Sequence, residues 1–288
     1  MTRNISTLTA ELAQAEAGVP NLRPGCEKQV VWAGTPTQQT PVSVVFVHGF
    51  SASLGELRPL PDLVAEGLGA NLFFTRLMGH GQDGAAMGAA TFEGWRADLD
   101  EVLEVGGTLG ARMLLIGCST GCTLITDALQ RHRGAPVMGA CLISPNFGLR
   151  HKVAQRVLDL PASHLWGPLI AGAERSFPVE GPEHEKYWTV RYPTIAARPM
   201  GDAMRAVRKA DLSGLTTPLM SVVNPDDQVI DPVQAQAAAA RWGGPTTDVR
   251  LTQTPDDHVL GHIMAGDVFS PRQTRPLADR IITWAKSL

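Results

Sequence analysis

Ser119 lies in Gly117-Cys118-Ser119-Thr120-Gly121, a Gly-x-Ser-x-Gly pentapeptide with an apolar run before it and a helical pattern after it. Leu114-Leu115-Ile116 suits a buried strand, and Cys122-Thr123-Leu124-Ile125-Thr126-Asp127-Ala128-Leu129 suits a helix. This is the sequence form of a nucleophile elbow, a serine held on a tight, strained turn between strand and helix. Gly117 and Gly121 fall where the two backbones approach, and a β carbon there would push them apart. The turn exposes the Ser119 hydroxyl above the sheet. The helix start behind it presents free N–H groups to developing negative charge.

A serine hydroxyl is a poor nucleophile and needs an imidazole to accept its proton as it attacks. That imidazole needs a carboxylate to fix its tautomer and to stabilise the imidazolium. The carboxylates in reach are Asp226 and Asp227, just past the apolar run Leu219 to Val223. Asp231, before Pro232, reads as a helix N-cap. Two histidines follow the last strand pattern, His258 and His262, four residues apart. His262 needs a longer excursion to reach Ser119 unless Val259-Leu260-Gly261 loops back. His132, His151, His164 and His184 read as solvated surface residues, and the spacing of histidines and carboxylates suggests no metal site.

The elements that must position these groups alternate. Gln29 to Trp32, Val42 to Val47 and Asn71 to Leu77 read as strands, as do the run before Ser119, Gly139 to Ile143, Leu219 to Val223 and Asp248 to Thr252. Several are continuous β-branched or apolar runs, the pattern of strands buried on both faces of a parallel sheet. Helical segments lie between them, so the fold class is α/β, a mostly parallel central sheet with helices on both sides. The helix after Thr91 is well specified: Thr91 as N-cap, Glu93 in the first turn, a stripe of Phe92, Trp95, Leu99, Val102 and Leu103, and Gly106-Gly107 as its stop. The N-terminal stretch Ser6 to Ala17 is weakly helical and mostly polar, and a closing helix is expected from about Pro276.

One stretch breaks the alternation. From about residue 148 to 211 the chain carries Pro161, Pro168, Pro178, Pro182, Pro193 and Pro199, with Trp166, Trp188, Tyr187 and Tyr192, and no credible strand. Short helices and loops placed after the strand next to the nucleophile, and rich in aromatic anchors, read as a cap supplying apolar walls for a substrate. The expected organisation is one domain over 1–288, with its core in about 28–147 and 212–288 and the cap insertion at about 148–211.

Composition narrows the class. With 288 residues, 44% hydrophobic and 18% charged, the chain can build a sizeable core. The net charge of −3 is spread out, with no Lys or Arg run, so nucleic-acid binding has no electrostatic footprint. Cys26, Cys118, Cys122 and Cys141 show no metal spacing, which fits packing roles and a reducing compartment. Residues 1–17 hold no run long enough for a signal peptide or a membrane span, so stable membrane insertion is not expected and the location reads as cytoplasmic.

With these pieces placed, the chain resembles the α/β-hydrolase superfamily across nearly its whole length, and within it the carboxylesterase and monoacylglycerol-lipase-like serine hydrolases. The residues that carry the resemblance are His48-Gly49-Phe50, Arg76-Leu77-Met78-Gly79-His80-Gly81, Phe92-Glu93-Gly94-Trp95-Arg96-Ala97-Asp98, the elbow, and Asn224-Pro225-Asp226-Asp227-Gln228-Val229-Ile230-Asp231-Pro232. The resemblance implies the chain order nucleophile, acid, histidine. It points to Asp227 as the acid, with Asp226 its rival, and to His258 as the base, with His262 its rival. It assigns the oxyanion hole to the backbone N–H groups of Phe50 and Thr120, and gives His48 and His80 a structural or oxyanion-loop role. The expected activity is hydrolysis of small carboxylic esters with an apolar acyl or alcohol part, through an acyl-enzyme on Ser119 and with no cofactor. The alternatives are a thioesterase, an acyltransferase or a cofactor-free haloperoxidase of the same fold, or a binding protein that has lost catalysis.

Overall fold

The computed structural model of the protein describes residues 3–160, 169–170, 172–252, 254 and 257–288. Pro161, His164, Trp166 and Pro168, read above as part of the insertion or as surface, lie outside them. The chain opens with α1 (Leu8–Ala17), β1 (Gln29–Val31), β2 (Thr40–Val47), α2 (Leu60–Leu68) and β3 (Asn71–Phe74). It continues through α3 (Gly84–Ala89), α4 (Phe92–Leu109), β4 (Gly110–Cys118), α5 (Thr120–Arg131) and β5 (Val137–Ile143). Then come α6 (Lys152–Asp159), β6 (Glu174–Ser176), α7 (Pro182–Tyr187), β7 (Arg191–Pro193) and α8 (Arg198–Lys209). The last elements are β8 (Leu219–Val223), α9 (Pro232–Ala240), β9 (Thr246–Arg250) and α10 (Pro271–Lys286).

Seven strands form one sheet in the order β1-β3-β2-β4-β5-β8-β9. Only the β1–β3 pairing is antiparallel, and the others are parallel. β4 shows why its run from Met113 to Cys118 is apolar and buried. Met113 and Leu115 face one core with Trp95, Leu99 and Leu124, while Leu114 and Ile116 face the other with Leu60, Val64, Leu277 and Ile281. A strand covered by helices on both sides has no wet face to leave polar.

Several local readings are corrected; the closing helix, for one, begins at Pro271 and carries Pro276 within it. α4 does not stop at Gly106-Gly107 but runs to Leu109, directly against β4. At Gly106 a β carbon would stand 2.5 Å from Met113 Sδ and 3.0 Å from Val45 Cγ2, so the glycine lets helix and sheet meet. The insertion, expected to lack strands, holds the ribbon β6–β7, which pairs Arg175 with Tyr192. α1 is anchored rather than merely polar, since Leu8, Leu12 and Glu16 are buried on one stripe. Among the described residues no helix is long and apolar enough to cross a membrane.

The sheet register sets up the site. Val47 pairs with Gly117, and Cys118 with Ile143, so β2, β4 and β5 end level with one another. The residues that follow, His48, Ser119 and Ser144, therefore emerge together at the carboxyl edge, where open α/β sheets bind their ligands.

Candidate active site

Ser119 occupies the turn between β4 and α5 with φ +50° and ψ −113°, a conformation that L residues rarely adopt. Its surroundings hold it there: Ser119 N–H donates to Ile143 O at 2.9 Å, and Ser119 O accepts from Cys122 N–H at 3.1 Å and Asn146 N–H at 3.2 Å. The flanking glycines act as the pattern implied. A β carbon on Gly121 would lie 2.1 Å from Val47 O, and one on Gly117 would lie 2.9 Å from Cys122 N. Such a strained serine is the kind of outlier that clusters at functional sites.

The histidine facing Ser119 is His262. Its Nε2 is 3.0 Å from Ser119 Oγ and its Nδ1 is 2.8 Å from Asp227 Oδ2. A carboxylate only accepts, so the neutral ring carries its proton on Nδ1 and offers Nε2 to the serine hydroxyl. Asp227 is fully buried, and its Oδ1 accepts from Val229 N–H at 2.7 Å and Ile230 N–H at 2.9 Å. Asp226 is exposed and takes no part in this cluster. Asp231 caps α9 through Val233 N–H, as expected.

The expectation for His258 is thus corrected: the structure brings His262, not His258, to Ser119 and Asp227. The cause is a tight turn. Gly261, at φ +64°, donates its N–H to His258 O at 2.7 Å, so Val259-Leu260-Gly261 does loop back. Asn224 Nδ2 and Gln228 N–H then hold Gly261 O and Leu260 O, each at 2.9 Å, and Ser144 Oγ donates to His262 O at 2.5 Å. His258 is fixed one turn away, its ring 4.5 Å from that of Phe269 and its Nδ1 accepting from Ile263 N–H at 3.3 Å. Burial, and then the charge of His262, push its pKa down to about 4, so it stays neutral. A glycine just before a histidine, with an asparagine directly after β8, was the signal for the turn.

The loop after β2 is clamped from both sides. Leu77 N–H donates to His48 Nε2 at 3.2 Å, so the His48 proton sits on Nδ1 and is donated to Gly49 O at 2.9 Å. Burial lowers the His48 pKa to about 4 and puts that of His80 well below the ordinary histidine range, which keeps both rings neutral. In a trans peptide the carbonyl and the next N–H point oppositely, so holding Gly49 O back turns Phe50 N–H away from His48. Phe50 N–H and Thr120 N–H have no acceptor among the described residues. Phe50 packs edge-on against Tyr192, 5.2 Å between centroids, and against His80 at 6.0 Å.

Ser119 and His262 open on a cavity of about 880 Å³. Its apolar wall includes Val157, Phe177, Trp188, Tyr192, Met200 and Phe269, mostly from the insertion. That volume suits a drug-sized or medium-chain ligand. His184, read as a surface residue, is buried beside this wall, stacked on Phe177 and edge-on to Trp188. Sequence reasoning also passed over Glu56, a buried carboxylate on the cavity wall. Among the described residues no three His, Cys, Asp or Glu side chains converge as a metal site would require.

Comparison with known proteins adds to this geometry. A family model described as Hydrolase_4, serine aminopeptidase S33, matches residues 38–255. A thermostable monoacylglycerol lipase from Bacillus sp. (strain H-257) is 26% identical over 205 residues, which are 68% of this chain and 74% of the lipase. Among solved structures, a metagenome-derived lipolytic enzyme of the LipS and LipT pair superposes with TM-score 0.70 at 17% identity, over 93% of this chain and 100% of the other. The monoacylglycerol lipase of Paleococcus ferrophilus superposes with TM-score 0.63 at 15% identity, over 90% and 98%. At such identities the likeness to solved structures is one of fold.

Proposed function

The chain belongs to the Hydrolase_4 (serine aminopeptidase S33) family of α/β hydrolases, and from that premise we propose that it is a serine hydrolase of carboxylic esters, with Ser119 as nucleophile, His262 as base and Asp227 as its acid. The observation that carries this reading is the continuous path Ser119 Oγ–His262 Nε2–His262 Nδ1–Asp227 Oδ2, with links of 3.0 and 2.8 Å, opening on an apolar cavity. We read residues 1–288 as one domain, with the insertion at about 148–211 as a cap whose aromatic residues wall the substrate site.

In the proposed cycle Ser119 Oγ attacks the ester carbonyl carbon while its proton passes to His262 Nε2. The carbonyl oxygen becomes an oxyanion, and the free N–H groups of Phe50 and Thr120 are its donors. His262 returns the proton to the departing alcohol, which leaves an acyl group on Ser119. A water, deprotonated by the same imidazole, attacks that acyl carbon and restores the serine. Asp227 stays ionised and stabilises the imidazolium in both halves. The apolar wall, and the likeness to a monoacylglycerol lipase, support an ester with an apolar acyl or alcohol part.

The test is a panel of p-nitrophenyl esters of graded chain length together with monoacylglycerols, run alongside covalent labelling by a fluorophosphonate. Ester turnover with labelling on Ser119 supports the reading. Turnover of thioesters alone, acyl transfer to an added alcohol in place of hydrolysis, or no labelling overturns it.

A further inference from the structure

Glu56 sits at the heart of this site with no part in the cycle above. It is 2% exposed, and among the described residues it has no Lys or Arg partner. Its Oε2 accepts from Gly49 N–H at 2.6 Å. A β carbon on Gly49 would stand 2.6 Å from Glu56 Oε1 and 3.2 Å from Ser119 Cβ, so only a glycine lets carboxylate and nucleophile share that space. The titratable groups around it are His262 and the Cys118 thiol, with Asp227 and Cys122 beside Cys118.

Resting on the function proposed above, we propose that Glu56 is a positioning residue of the hydrolysis: it clamps Gly49 N–H so that Phe50 N–H is aimed at the oxyanion, and its negative charge supports the His262 imidazolium. Gly49 is then held at both polar atoms. His48 Nδ1–H and Ala52 N–H bind its oxygen, at 2.9 and 3.4 Å, and Glu56 binds its nitrogen. With the peptide before Phe50 fixed, the donor need not reorganise as charge develops, which is the condition under which such groups accelerate acyl transfer.

A clamp alone does not need a charge, because an amide oxygen would hold the same N–H with less desolvation cost. The acid at this position is pushed up to about 7 by burial, while Gly49 N–H and then the charge of His262 draw it back. Around neutral pH it therefore carries substantial negative charge, and that charge favours a positive imidazole.

Two variants separate the contributions. Glu56→Leu removes the clamp and the charge. It should lower kcat on a p-nitrophenyl ester by roughly 10²-fold while KM changes less than about threefold, because the lost interaction is made in the transition state. Glu56→Gln keeps an acceptor for Gly49 N–H. It should recover most of that kcat near pH 8, but its acid limb in kcat/KM should lie at lower pH than that of the wild type by about half a unit or more, because an unsupported imidazolium forms less readily.

The inference is overturned if Glu56→Leu folds and keeps kcat within twofold of wild type, or if the acid limb of Glu56→Gln is unmoved. Should Glu56→Leu fail to fold, the Glu56→Gln profile decides alone. Loss of the function reading looks different: the wild-type protein would then hydrolyse no ester and take no phosphonate label. A wild-type enzyme that is active beside unaffected Glu56 variants sinks only the role of Glu56.

Discussion

Replacing Glu16 with Ala should destabilise the protein far more than a change at the N-terminal edge suggests. Glu16 lies on the last turn of α1 and is 4% exposed, and its partner Arg76, just past β3, is 7% exposed. The carboxylate takes both fork positions of the guanidinium, at 2.7 and 2.8 Å, and also accepts from Lys28 N–H at 3.0 Å. Arg76 in turn donates to His80 O at 3.3 Å, in the loop that packs beside Phe50. Removing one member of a buried pair leaves an uncompensated charge and typically costs about 3–5 kcal/mol. For a chain of this size that corresponds to a Tm lower by roughly 6–20 °C. Burial pushes the Glu16 pKa up, but the Arg76 hydrogen bonds and charge, with Lys28 behind them, more than offset it, so the net shift is downward from 4.5. The pair's contribution is therefore present above pH 4.5 and is lost as pH falls below it. Thermal melts of wild type, Glu16→Ala and the double variant Glu16→Ala/Arg76→Met, at pH 7.5 and pH 4, are the assay. The double variant should recover part of the loss, and the single-variant gap should narrow at the lower pH. A Tm change under about 3 °C for Glu16→Ala, or losses that simply add, would refute the reasoning.

Other positions give equally direct checks. Gly121→Ala places its β carbon 2.1 Å from Val47 O, a backbone atom that cannot step aside, so urea melts should show a loss of about 3 kcal/mol or more together with falling activity. Gly107→Ala meets nothing within 4 Å in the interior of α4 and should instead raise stability by about 0.5–1 kcal/mol. The wild-type protein should lose stability as pH drops from 6.5 toward 4, since His48 is neutral when folded, with its pKa near 4, and charges more readily when unfolded. That single site is worth on the order of 3 kcal/mol, and equal stability by urea titration at pH 7 and pH 4.5 would count against it.

Much of the frame was readable from the residues because its signals are local. The central strands β2, β3, β4, β5 and β8 follow from apolar or β-branched runs, and the elbow from two glycines around a serine. The pair Asp226 and Asp227 followed from their place after Leu219–Val223, and only the family resemblance pointed to Asp227. The misreadings share a different cause: each was decided by contacts between distant segments. Gly106-Gly107 reads as a helix stop until Met113 and Val45 are seen against it. The three-residue strands β6 and β7 are too short for a periodic pattern and exist through their pairing with each other. His258 and His262 are separated by one turn whose closure rests on Gly261, Asn224 and Ser144 together, and no spacing rule along the chain contains that geometry. Glu56 gave no sign at all, because a glutamate ahead of a leucine and an arginine reads as surface until Gly49 is placed upon it.

The rate of fluorophosphonate labelling at Ser119, followed by intact-protein mass in wild type, Ser119→Ala, His262→Ala and His258→Ala, tests the central claim most directly. One adduct is expected on the wild-type protein, none on Ser119→Ala, labelling slowed by several orders of magnitude in His262→Ala, and labelling within about tenfold of wild type in His258→Ala. Fast labelling of His262→Ala with a silent His258→Ala would contradict it, and would return the base to the histidine that the structure sets apart from Ser119.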